Sequence, residues 1–86
     1  ADYAASLNNL GYLYSEHKQF AKAEPLYKQA LALRKELHGE QSPEYAMTLH
    51  NLGSLYSRQN LFEKAEPLYK QALEIRKVIL GEKHPQ

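Results

Sequence analysis

The chain has no cysteine, which excludes a disulfide framework and any thiolate chemistry. The same lack fits a reducing, cytoplasmic setting, and that setting is the expectation. Neither sign of charge is in excess: 11 lysines and arginines stand against 10 aspartates and glutamates, for a formal charge of +1. Non-specific nucleic-acid binding rests on clustered basic residues, so no nucleic acid is expected as a partner. No apolar run approaches the ~20 residues that span a bilayer, and no signal peptide is visible, so no membrane partner is expected either. Catalytic signatures are missing as well. None of the four histidines, His17, His38, His50 and His84, has a second His, or the Glu of a metalloprotease motif, placed to share a helix face, so no metal pair forms. There is no glycine-rich phosphate loop and no nucleophile motif, and Ser15 and Ser57 lack an adjacent base. The chain reads as no enzyme, with no cofactor and no metal.

What is present is repetition. Tyr3–Glu44 and Tyr45–Gln86 align without a gap, and 25 of the 42 aligned positions are identical. The longest shared run, Lys22 to Leu31 (KAEPLYKQAL), returns as Lys64 to Leu73. Self-similarity at this period marks a repeat architecture. The chain therefore divides into two units, 1–44 and 45–86. It begins at Ala1 without methionine, and its length is two units plus two residues, so it reads as a two-unit excerpt of a longer array. Gly81 to Gln86 then start a connector to a further unit.

Each unit reads as two helices. In the first helix Ala4, Leu7, Leu10, Gly11 and Tyr14 recur at helical spacing on one stripe, as do Ala46, Leu49, Leu52, Gly53 and Tyr56. Gly11 and Gly53 sit where glycine costs about 1 kcal/mol relative to alanine, which points to a close helix approach with no room for a side chain. The second helices carry Phe20, Ala23, Tyr27, Ala30, Leu31 and Leu37, matched by Phe62, Ala65, Tyr69, Ala72, Leu73 and Ile79. Asn60 with Glu63 fits a capping box; Lys18 and Ala21 make a weaker one. Gly39 and Gly81 read as C-terminal stops. Ser42 reads as an N-cap with Pro43 at the first helical position. Helices are therefore expected near 3–16, 19–38, 43–58 and 61–80. Pro25 and Pro67 fall inside the second helices, where the missing donor predicts a mild kink and not an end. Glu24–Lys28 and Glu66–Lys70 are i,i+4 pairs in the favourable order.

These residues resemble the tetratricopeptide repeat family. Its pattern of Leu, Gly and Tyr on the first helix, then Ala, an aromatic and Ala on the second, is met by Leu10, Gly11, Tyr14, Ala23, Tyr27 and Ala30, and by Leu52, Gly53, Tyr56, Ala65, Tyr69 and Ala72. The usual unit is about 34 residues. The longer second helix and the Gly-Glu-x-x-Pro connector are similar to the 42-residue, kinesin-light-chain-like subclass. The resemblance implies an all-α fold: two tandem helix-turn-helix units forming a segment of a right-handed α-solenoid. First helices would line a concave groove that takes a protein or peptide partner.

Opposite the core stripe of the first helix lies a second stripe, Ala5, Asn8, Asn9, Tyr12 and Glu16. Its counterpart is Met47, His50, Asn51, Ser54 and Arg58. The partner-binding residues expected here are Asn8, Asn9, Tyr12, Glu16, His50, Asn51, Ser54 and Arg58. Asn9 and Asn51 lead, because an amide both donates and accepts and so can hold a peptide backbone of any sequence. The alternative is that they hydrogen-bond a neighbouring helix or water. The stripe varies between units over a constant core, as selective binding or drift on a solvated face would produce. With no lysine on it and Arg58 alone, it does not match the family's clamp for a C-terminal carboxylate. Tyr3 and Tyr45 are expected to pack on a preceding helix end, and Tyr14, Tyr27, Tyr56 and Tyr69 to be core.

A second reading is self-association. Repeat arrays usually need about three units with polar caps. Glu36 and His38 of the first unit become Val78 and Leu80, so Ile75, Val78, Ile79 and Leu80 form an apolar helix end. End-to-end stacking or helix exchange into a homo-oligomer would cover it; a fraying terminal helix is the other reading.

Overall fold

A computed structural model describes residues 3–83. Its four helices are α1 (Tyr3–Glu16), α2 (Phe20–His38), α3 (Pro43–Arg58) and α4 (Phe62–Lys83). Ala1, Asp2 and the end of the expected connector, His84 to Gln86, lie outside the described residues. The helices form two antiparallel hairpins, α1 with α2 and α3 with α4, and α3 also packs on α2. First helices make one layer and second helices the other, in a plate of 44 × 32 × 17 Å.

Three apolar clusters run along the plate. Ala4, Leu7 and Ala30 join the first hairpin. Ala23, Tyr27, Leu52, Leu55, Tyr56 and Ala65 join α2, α3 and α4 at the centre. Tyr45, Ala46, Leu49, Ala72 and Ile75 join the second hairpin, with Leu31 of α2 against them. Ala23, Ala30, Ala65 and Ala72 are all buried, and their small side chains let the helix axes come close. The approach is closest at the glycines. A Cβ on Gly11 would lie 3.0 Å from Cε1 of Tyr27, and one on Gly53 would lie 3.1 Å from Cε1 of Tyr69. The space the sequence left empty is filled by a tyrosine ring of the partner helix.

The connectors depart in part from the sequence expectation. Ser42 caps α3 as expected, accepting from the Tyr45 N–H at 3.2 Å with Pro43 at the next position, and Gly39 ends α2 at φ 83°. Asn60 is not an N-cap: its φ is 63° and it closes α3, with Leu61 N–H donating to the Tyr56 carbonyl at 2.9 Å. That is the left-handed turn with a 6→1 bond of a Schellman stop. Lys18 does the same after α1, at φ 61°, with Gln19 N–H donating to the Tyr14 carbonyl at 2.8 Å. Asparagine takes this conformation readily, and lysine takes it only with strain. Gly81 does not stop its helix, which continues to Lys83. Gly39 is drawn out of its helix by the cap of α3: Ser42 Oγ donates to the Gly39 carbonyl at 2.8 Å. No helix comes after Gly81 among the described residues to do the same.

Both helices run on through Pro25 and Pro67. Each proline is exposed and near the helix start, and the residue whose carbonyl loses its donor, Ala21 or Glu63, is itself exposed. The ion pairs Glu24–Lys28 and Glu66–Lys70 form at 3.1 and 3.5 Å. The stripe residues Leu10, Leu37, Phe62 and Leu73 are exposed against expectation, and so is Tyr3, expected to pack on a preceding helix end. Tyr45 is held between α4 and Leu31 of α2, whereas no described helix precedes Tyr3. Leu10, Phe62 and Leu73 lie on the outer faces of the two hairpins.

Two measurements test this packing. Tyr27 is buried and cannot yield, so Gly11→Ala should destabilise by about 1–2 kcal/mol despite the better helix propensity. Tyr69 is half-buried where Tyr27 is buried, so its ring gives way at less cost and Gly53→Ala should destabilise less than Gly11→Ala. Urea midpoints followed by helical circular dichroism check the order. In the same assay Lys18→Gly should stabilise by about 1 kcal/mol through relief of the left-handed strain; an unchanged midpoint would contradict the turn geometry.

Candidate functional site

The α1 and α3 helices lie side by side, and two polar contacts tie them. Near their N-terminal halves Asn8 Nδ2 donates to Thr48 Oγ1 at 3.2 Å in a buried seam. At the C-terminal ends Arg58 Nη2 donates to Glu16 Oε2 at 2.6 Å in solvent. Between them Asn9 and Tyr12 are exposed on α1, and Asn51 and Ser54 are half-buried on α3. No hydrogen bond engages the Asn9 or Asn51 side chain among the described residues. That removes the neighbouring-helix alternative for both amides.

Asn8 does not belong to this open surface, and His50, though exposed, is engaged by a ring of α4. Asn8 is buried against α3. His50, at the equivalent position of the second unit, leans on the Tyr69 ring with centroids 5.1 Å apart, in a shallow hollow with Ala72, Leu73 and Arg76. In the first unit this helix position faces α3 of the second. The apolar helix end is likewise smaller than expected. Ile75 is core, beside Tyr45, Ala46 and Leu49, and Ile79 packs on that cluster; Val78 and Leu80 are exposed. Tyr45, Ala46 and Leu49 of α3 are what the two isoleucines pack against.

Sequence reasoning missed a polar lock between the units. Arg34 is buried, and its Nη1 donates to the Glu44 carbonyl at 3.3 Å and to Thr48 Oγ1 at 3.4 Å. The Thr48 hydroxyl donates to the Glu44 carbonyl at 3.1 Å. It thus accepts from Asn8 and Arg34 and donates once, which uses its full capacity. A guanidinium taken out of water needs such partners. The signal available was the same arginine, Arg34 and Arg76, at one position of both second helices.

A second link joins the units through Tyr56, whose hydroxyl donates to Glu24 Oε2 at 2.6 Å. That hydrogen bond, with Lys28 adding to it and partial burial opposing it, holds Glu24 below its ordinary 4.5. Burial, then the bond to Glu24, pushes the Tyr56 phenol above its ordinary 10.0. Burial also raises Tyr27, against the pull of Arg58. Among the described residues no group of three or more His, Cys, Asp or Glu is placed to hold a metal, and no helix is long and apolar enough to cross a membrane.

Tandem hairpins with a tyrosine on a glycine in each, and polar links between units, define an α-solenoid segment. The tetratricopeptide repeat model matches residues 2–85, and the chain belongs to that family. Among solved structures it is similar to BtubC (BKLC) from P. vanneervenii, a kinesin light chain-like protein of the family. The two are 36% identical with a TM-score of 0.81, over 96% of this chain and 33% of that one. The chain thus spans about a third of that neighbour's length. Among curated proteins none matches. Repeats of this family are typically non-enzymatic scaffolds, and membership supports a protein-interaction role.

The link between Tyr56 and Glu24 predicts a pH signature. A carboxylate whose pKa is lowered by folding adds stability that is complete above its ordinary value and lost as pH falls through the lowered one. Below about pH 4.5 the wild type should therefore lose stability more steeply than Glu24→Gln, and at pH 7 Tyr56→Phe should cost about 1 kcal/mol. Urea midpoints at a series of pH values check both, and parallel curves would contradict the assignment.

Proposed function

We propose that the chain is a protein-interaction scaffold that holds an extended peptide segment along the face shared by α1 and α3. The observation that carries this reading is the pair Asn9 and Asn51. They repeat at the same position of the two helices, and no hydrogen bond of the fold uses either side chain among the described residues. Asparagine is a poor interior helix residue, and an open amide can pair with both the N–H and the C=O of a passing backbone. Tyr12 and Ser54 stand one turn further on and would set side-chain preference. Glu16 and Arg58 neutralise each other across the seam, so the face suits a neutral segment better than an acidic tail. The chemistry of the interaction is binding alone, and the partner is a protein or peptide.

Selection from a library of extended peptides by the 86-residue chain should yield binders. The double variant Asn9→Ala, Asn51→Ala should hold them at least tenfold more weakly, since two backbone-directed bonds are worth about 1 kcal/mol each. Unchanged affinity in a fully helical double variant would remove the reading.

A further inference from the structure

The contact of α3 on α2 is a template, and α4 repeats the lower half of it with nothing on top among the described residues. α3 lays Leu52 and Leu55 onto α2, and Leu55 is 1% exposed. The equivalents on α1 are Leu10 and Leu13, and Leu13 is 51% exposed. On α2, Phe20 and Leu31 are half-buried by the α3 clusters. On α4 their equivalents Phe62 and Leu73 are 60% and 69% exposed. We propose that α1 of a second copy of this chain docks on the outward face of α4 as α3 docks on α2, so that copies associate head to tail.

The polar groups that fix α3 on α2 are present again at both ends of the molecule. Tyr56 with Glu24 becomes Tyr14 of the second copy with Glu66. Arg34 with Thr48 becomes Arg76 with Ser6 of the second copy, a hydroxyl in place of a hydroxyl. Asn8 with Thr48 becomes His50 with the same serine. His50 and Arg76 already line one hollow with Tyr69 and Leu73, where that serine would enter. Charge selects the direction. Glu16 meets Arg58 across the internal seam at 2.6 Å, and head-to-tail stacking sets Arg58 against Glu16 of the next copy. The order along the stack is then Glu, Arg, Glu, Arg, with opposite signs at every seam. Pairing of like ends would bring no Glu16 of one copy to Arg58 of the other. The contact is heterologous, so it propagates unless a ring closes. Stacking of this kind is independent of peptide binding on the α1 and α3 face.

The test is sedimentation equilibrium of the 86-residue chain over a hundredfold range of concentration, with circular dichroism on the same samples. Leu13→Glu and Leu73→Glu each spoil one face, at exposed positions. Wild type should rise above the 9.9 kDa of one chain with concentration. Each variant alone should associate at least tenfold more weakly. An equimolar mixture should climb to twice the single-chain mass and stop, because one intact α1 face meets one intact α4 face and the remaining two are blocked. A wild type at single-chain mass throughout would overturn the proposal. So would Leu13→Glu dimerising alone, which means α4 pairs with α4, or a helical mixture that stays monomeric. If either glutamate variant loses its helicity, Leu13→Gln and Leu73→Gln run the same mixing test. The Asn9→Ala, Asn51→Ala variant should assemble like wild type, which separates stacking from peptide capture.

Discussion

The fold hangs on a tyrosine ring laid where a glycine side chain would have been. Tyr27 on Gly11 and Tyr69 on Gly53 set the spacing of the two helices in each hairpin. With that spacing fixed, the alanines of α2 and α4 reach the first helices, and the leucines of α3 reach back to α2. Glycine in a helix interior costs about 1 kcal/mol, and the ring contact offsets it with the burial of the Tyr27 ring and part of the Tyr69 ring. The same contact twice makes two hairpins of one shape. Equal shape is what lets a surface of one unit meet the next in a repeated way.

How the units turn relative to each other depends on directional bonds. Apolar contact alone would allow α3 to slide along α2. The Thr48 hydroxyl, with one bond given and two accepted, permits little of that. Tyr56 and Glu24 hold the other end of the interface. Polar groups in this position are costly when broken and rigid when whole, so the joint between units is set by a few atoms while the hairpins are set by packing.

The elements legible in the sequence are those fixed by neighbours along the chain. Ser42 with Pro43, the glycine at position 39 and the ion pairs of α2 and α4 need only a few adjacent residues, and all are found as expected. The turn after α3 differs from its expectation because Asn60 serves two roles in proteins. An asparagine before a helix is a cap and one after a helix is a left-handed stop, and Lys18 in the same turn is the clue that the role is the second. Positions whose meaning depends on the neighbouring unit are harder. Asn8 has the pattern of a surface residue because a helical wheel has no partner helix, and α3 covers it. Leu10, Phe62 and Leu73 have the pattern of core for the same reason. Arg34 gives no apolar signal at all, since its burial is made possible by a hydroxyl on a different helix.

The least dimension of the plate, 17 Å, is two helices deep. In a molecule so thin, lengthening the chain adds rim without adding depth. Globular domains bury a growing fraction of their surface as they grow; this architecture holds that fraction nearly constant, unit after unit. Stability and outward area then rise together in fixed steps. The span of partner such a protein can accommodate is therefore counted in hairpins, and a change of one hairpin in length changes reach while leaving every existing joint as it was.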